Sequence, residues 1–224
     1  MLKEAKRLSP TTMQGIIHFE TFLLTGILLN LTPGNDTIFI LTKSIGQGKK
    51  AGIISTLGIS TGSVIHTLLA AFGLSIIIAK SIILFNVIKY VGAVYLLYMG
   101  YQMLTDKSQL ATSQTKETKQ IVNYWKIYRD GILTNVLNPK VALFFIAFLP
   151  QFIDSSKQDS VLPFLALGTT FITTATIWSF ILVSFSAAFF AKLNQNPRFS
   201  SYLHKLCGTA LIGLGIKVAF SERR

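Results

Sequence analysis

Long apolar stretches separated by short polar ones dominate this chain. The apolar runs are Ile16–Leu41, Ala51–Ala79, Ile82–Leu104, Gly131–Ile153, Val161–Ala191 and Leu203–Phe220. Ala51–Ala79 and Ser160–Ala191 contain no Asp, Glu, Lys or Arg. A bilayer core about 30 Å thick is crossed by roughly 20 apolar residues of helix, so each run is long enough to be read as a span. No run alternates apolar and polar residues over the ten or so positions that mark a membrane β-barrel strand, so the backbone must satisfy itself within helices. The pattern predicts an all-α integral membrane protein with six transmembrane helices, forming a single transmembrane domain over residues 1–224.

The polar stretch Thr105–Tyr128, rich in Lys, Thr, Ser and Gln, has too little apolar surface to fold alone and reads as a linker between halves. Three spans then fall on each side, in a first repeat of about 15–104 and a second of about 129–220. An odd number of spans makes the second half enter the membrane from the opposite face, the inverted-repeat plan of many transporters.

Composition supports the membrane reading: of 224 residues, 50% are hydrophobic and 13% charged, and mean hydropathy is +0.53. The net charge of +12 raises nucleic acid as a partner. The lysines and arginines instead sit mostly between apolar runs, not in one basic stripe, which argues against it. Omitting Lys89, Lys140, Lys205 and Lys217 inside the runs, ten of these cations fall on the side of the linker and seven on the side of the termini. That bias places the linker in the cytoplasm and both termini outside. A single cysteine, Cys207, excludes an internal disulfide framework or a paired-cysteine metal motif, and neither a cofactor nor a metal is expected. Lys3, Lys6 and Arg7 precede the first apolar run as in a signal peptide, but no small-x-small cleavage pattern follows, so that run is read as a retained span.

The candidate chemistry lies at two interruptions. Thr32-Pro33-Gly34-Asn35-Asp36 breaks the first run, and Asn138-Pro139-Lys140 breaks the fourth, each in the first span of its half. Proline suits the first position of a helix behind a Thr or Asn cap, so each break is expected to start a half-helix whose free N–H groups point toward the bilayer centre and suit a carboxylate. Gly34 permits close approach of a ligand or a neighbouring backbone. Asp36 lies too far inside its run to face lipid and is expected to face protein or a wet cavity, in preference to ending a short span at the interface. If Lys140 snorkelled to the surface, Val141–Ile153 would be too short to cross, so it too is placed inside. The expected arrangement puts the α-ammonium of an amino acid on Asp36 and its carboxylate on the helix starts at Thr32 and Asn138, with Lys140 balancing Asp36 in the empty site.

Beyond the breaks, Gly58 and Gly62 form a small-xxx-small pattern with His66 one turn on, predicting close packing with His66 turned into the bundle. His66 there either bonds a neighbouring carbonyl, the favoured role, or relays protons. Asp36, His66 and, less strongly, Glu20 near the start of the first span are the coupling candidates. Thr169, Thr170, Thr173, Thr174 and Thr176 give the fifth run a hydroxyl stripe, expected to bond its own helix first and to line a pathway second.

Asn30-Leu31-Thr32-Pro33-Gly34-Asn35-Asp36-Thr37, then Gly46-Gln47-Gly48, Gly58 and Gly62, resemble the amino-acid exporters of the LysE/RhtB family. The resemblance continues through Gly92–Tyr101, Gly131–Lys140 and Phe148–Phe152. Relatives usually carry proline where this chain has Asn35, which softens the first break. Pro33, Gly34, Asp36, Asn138, Pro139 and Lys140 are the positions that carry over. The resemblance implies six spans in a bacterial plasma membrane and export of amino acids or derivatives such as threonine, homoserine, homoserine lactone or lysine, driven by the proton-motive force. The expected partners are the amino acid, protons and the lipid bilayer, with assembly into a homo-oligomer left open. A membrane-embedded enzyme is the main rival, but His18, His66 and His204 form no His-x-x-x-His pair and no nucleophile motif is present. A passive channel or scaffold, which needs neither buried charge nor paired breaks, is the other.

Overall fold

The computed structural model describes residues 15–74, 82–105, 122–157, 160–186 and 197–220, and these are almost entirely helical. Among them extended pairing is limited to one antiparallel bridge, Ile16 with Ile153. Among the described residues, the helices Lys49–Gly73 and Val161–Ser184 are long and apolar enough to cross a membrane, and a third candidate is the bent pair Tyr124–Val136 with Pro139–Phe152. Apolar side chains point outward as well as inward, as in Leu24, Val94 and Phe220, which is the pattern of helices solvated by lipid.

The first interruption follows from proline chemistry. Helix α1 (Phe19–Leu31) stops because Pro33 disfavours the helical conformation at Thr32, which turns to φ −64°, ψ 117°. Helix α2 (Asn35–Gln47) then starts behind an extended Gly34. This corrects the expectation that Thr32 caps the new helix and Pro33 opens it. The Thr32 hydroxyl points back and donates to the Leu28 carbonyl at 2.8 Å, and Gly34 has no side chain to cap with, so α2 begins two residues later without a side-chain cap.

At the second interruption the expected start is found. Helix α5 (Tyr124–Val136) ends, and α6 (Pro139–Leu143) begins with Pro139 in its first turn and the Asn138 side chain accepting from the Lys140 N–H at 3.0 Å. The two segments meet at 48°. Beyond α6 the coil widens into a π-helical turn at Phe144–Phe148 and tightens into a 3-10 turn at Leu149–Phe152. The end of this segment is tied to the chain leading into α1, where the Ile17 N–H donates to Phe152 and the Asp154 N–H donates to Gly15.

Helix α3 (Lys49–Leu69) follows α2 across Gly48, whose φ of +87° a residue with a side chain rarely adopts. It lies against α5 at the predicted glycines: a Cβ on Gly58 would strike the Tyr128 carbonyl oxygen, and one on Gly62 would come within 2.7 Å of Asn135 Cβ. Helices α4 (Ile82–Thr105) and α8 (Pro197–Phe220) pair with each other, their backbones brought together at Gly100 and Gly208. Helix α7 (Val161–Ser184) packs on α1, α2 and α3.

The core is aromatic. Phe22, Phe144, Phe145, Phe148, Phe152 and Phe164 are fully buried, and Phe144 stacks on Phe171 at 4.4 Å between centroids. Such pairs each contribute about 0.5–1.5 kcal/mol beyond their burial.

The helices overrun the apolar runs. Helix α5 starts at Tyr124, where Asn123 caps it, so the last residues of the expected 105–128 linker are helical, while 106–121 lie outside the described residues. Helix α2 likewise passes Leu41 to Gln47, and α8 starts at Pro197, before Leu203. Hydrophobicity marks where the lipid ends, whereas backbone hydrogen bonding and caps decide where the helix ends.

Candidate functional site

The two interruptions meet, and each holds the other. Asp36, in the first turn of α2, accepts hydrogen bonds on both carboxylate oxygens from the second break: Asn135 Nδ2 to Oδ2 at 2.8 Å and Asn138 Nδ2 to Oδ1 at 3.0 Å. In return Lys140 Nζ donates to the carbonyls of Thr32 at 3.0 Å and Leu29 at 3.3 Å, at the open end of α1. A helix C-terminus carries partial negative charge, so a cation suits that end, as a carboxylate suits the start of α2. Lys140 is buried, yet its charge is met by backbone oxygens in place of lipid.

Gly34 lets the lysine in. A Cβ there would stand 3.1 Å from Lys140 Nζ, so the ammonium group lies beside the uncapped start of α2. The second break is anchored in turn by α3: Ser63 Oγ donates to Asn135 Oδ1 at 3.2 Å, and His66 Nε2 lies 3.2 Å from the Asn135 carbonyl oxygen. His66 is buried and stacks on Phe145, in keeping with the carbonyl-bonding role.

Asp36 and Lys140 line a shared cavity of about 40 Å³, with Asn30, Ser63, Asn135, Phe171 and Trp178 among its other walls. That volume suits roughly three waters at about 10–15 Å³ each. Any solute larger than a few waters therefore requires these walls to separate.

Of the residues singled out from the sequence, Asp36, Asn138 and Lys140 come together with Gly34 alongside. Thr32 is buried, but its hydroxyl serves α1 and its carbonyl serves Lys140. Pro33 and Pro139 shape the breaks. Asn35 and Glu20 are exposed and do not line the cavity, which sets Glu20, in the first turn of α1, apart from Asp36 and Lys140.

Asn135 is the central residue that sequence reasoning missed. It sits three positions before Asn138, whose N–H turns back to the Asn135 carbonyl at 3.0 Å, and an amide inside an apolar run was the available signal. Ser63 and Asn30 were also missed; Asn30 donates to Thr174 Oγ1 at 3.2 Å. The hydroxyl stripe does bond its own helix at Thr170, Thr173 and Thr174, while Thr176 also reaches Ser60 at 2.8 Å. Among the described residues no cluster of His, Cys, Asp or Glu could hold a metal ion.

Apolar helices, interrupted twice around a buried lysine and a half-buried aspartate, fit a membrane protein of the translocator class. Comparison with known proteins makes this specific: the chain belongs to the LysE type translocator family, which matches residues 27–222. A leucine efflux protein of Salmonella typhimurium is 32% identical over 211 residues, covering 92% of this chain and 96% of that protein. The uncharacterized membrane protein YrhP of Bacillus subtilis is 32% identical over 200 residues, covering 87% and 94%. A Vibrio cholerae membrane protein is 31% identical over 204 residues, covering 90% and 96%. No solved structure matches the chain significantly.

Proposed function

We propose that this protein is a secondary active transporter exporting amino acids across the bacterial plasma membrane by exchange for protons. The observation that carries the reading is the reciprocal bracing of the two breaks, with Asp36 on the amides of Asn135 and Asn138 and Lys140 on the carbonyls of α1. The leucine efflux relative supports the substrate class, from which threonine, homoserine, its lactone and lysine are further candidates.

The α-ammonium of the substrate replaces the asparagine amides on Asp36. Its carboxylate meets Lys140 Nζ and the uncapped N–H groups at the start of α2, which take over the part first expected of Thr32. Either a proton or the substrate ammonium occupies the Asp36 carboxylate, never both, so competition at one group makes substrate leave as a proton arrives. Neither hydrolytic nor redox chemistry is needed. His66, whose Nε2 lies 3.2 Å from the Asn135 carbonyl oxygen, is the second coupling candidate.

The fold proposed is six spans in two inverted repeats of three. Helices α4 and α8 have 24 residues each, about 36 Å at roughly 1.5 Å per residue, and support two of the spans. Helix α1, with 13 residues, reaches only about 20 Å and needs α2 to complete the first. The crossed contacts between the breaks support the repeat.

The test is counterflow of a panel of amino acids in proteoliposomes, with and without a pH gradient. Saturable exchange accelerated by the gradient, and lost in Asp36→Asn, is the expected result. Exchange unchanged in that variant contradicts the assignment.

A further inference from the structure

The cavity that holds Asp36 has a second chemical character one helical turn away. Ile40 follows Asp36 by four residues on α2, and Ile59 precedes Ser63 by four on α3; both are buried and both line the cavity. Because α2 and α3 run into one another at Gly48, these steps lead in the same direction, and the two isoleucines share one apolar cluster. Helix α7 supplies the facing wall through Ala175, Trp178 and Leu182, spaced to share one helical face. One turn is about 5.4 Å, the reach of a side chain of three or four carbons.

We infer that Ile40, Ile59, Ala175, Trp178 and Leu182 form a side-chain subsite that selects apolar amino acids, with Ala175 setting its depth. The inference rests on the export reading above and narrows its substrate class. Among the described residues lining the cavity, Asp36 and Lys140 are the only charged ones, and the backbone of any amino acid already occupies both. A lysine or glutamate substrate would leave its side-chain charge without a counter-charge among these apolar side chains, where the nearby Ser179 hydroxyl already donates to the Ala175 carbonyl. An aliphatic side chain replaces water there at no such cost. Ala175 is the smallest of the five, so enlarging it removes the space directly.

Apolar pockets discriminate by roughly 10- to 200-fold per methylene, which sets the scale of the test. Proteoliposomes loaded with labelled leucine are assayed for exchange against external leucine, alanine, phenylalanine, lysine and glutamate. The wild-type chain is expected to prefer leucine at least about tenfold over alanine and over both charged amino acids. Ala175→Leu lowers the leucine-to-alanine ratio by about tenfold or more while alanine exchange persists. Leu182→Ala, which enlarges the same wall, shifts preference toward phenylalanine and keeps the test decisive if the first variant does not fold. Vigorous exchange in which lysine and glutamate compete as well as leucine, or ratios unchanged in the variants that fold, overturns the subsite alone. Failure of every amino acid to exchange, in vesicles loaded in turn with each of them, overturns the export reading and the subsite with it.

Discussion

Asp36 of one interrupted span and Asn138 of the other are joined by a 3.0 Å hydrogen bond, carboxylate to amide, across 102 positions of chain. With Asn135 on its second oxygen, the acid is held by two neutral donors, which the substrate ammonium of the proposed mechanism would displace. Asp36→Asn keeps the size and a polar terminus but removes the charge that attracts the ammonium. It is expected to reduce export by at least about a hundredfold, equivalent to about 2.7 kcal/mol at about 1.36 kcal/mol per tenfold, while folded yield is unchanged. Efflux of labelled amino acid and size-exclusion of the purified variant together decide this.

Lys140, proposed above to meet the substrate carboxylate, also does a structural task. Its ammonium group serves the carbonyls of Thr32 and Leu29 at the C-terminal end of α1, the Leu29 carbonyl also accepting from the Thr32 N–H at 3.2 Å. Lys140→Met retains the apolar stem and loses those bonds, and is expected to destabilise the fold by about 1–3 kcal/mol as well as abolishing exchange. A thermal unfolding midpoint in detergent equal to that of the wild type would remove the structural part of the claim.

The membrane class, the two breaks and the identities of Asp36 and Lys140 were legible because each violates its surroundings: a proline or a charge within an apolar run is visible without coordinates. The helix starts were less so. Asn138 and Thr32 look alike as caps, yet Asn138 bonds forward to the Lys140 N–H and Thr32 bonds backward to Leu28, a choice made by tertiary packing. Asn135 went unread because an amide beside a proline motif looks like part of the turn. Its partners, Asp36 and Ser63, lie 99 and 72 positions away, and no local pattern encodes that distance.

Close contact between α3 and α5 depends on absent side chains. At Gly58 a Cβ would meet the Tyr128 carbonyl, and because that obstacle is backbone it cannot rotate away. Gly58→Val is therefore expected to push the helices apart and to cost at least about 2 kcal/mol, within the overpacking range. Ile53→Val, at an exposed position on the same helix, should stay within about 0.5 kcal/mol and serves as the control. Comparing unfolding midpoints of the two variants checks both.

Outside the spans, Asp154 offers a pH dependence whose sign can be worked out. The Ser156 hydroxyl at 2.7 Å and then its backbone N–H at 2.8 Å donate to the same carboxylate oxygen and hold the acid below the ordinary aspartate range. A group whose pKa is lower in the folded state stabilises fully above its unfolded value, roughly 3.9, and that contribution disappears as pH falls through the lower folded one. The turn that follows Ile153, and with it the pairing of Asp154 N–H to Gly15, should therefore be firm at neutral pH and loosen only in strong acid. Ser156→Ala removes the hydroxyl, leaves the backbone donor and should move the Asp154 midpoint part of the way back. Carbon-detected NMR titration of the labelled side chain measures this, and an Asp154 midpoint unaffected by the substitution would assign the depression to the backbone alone.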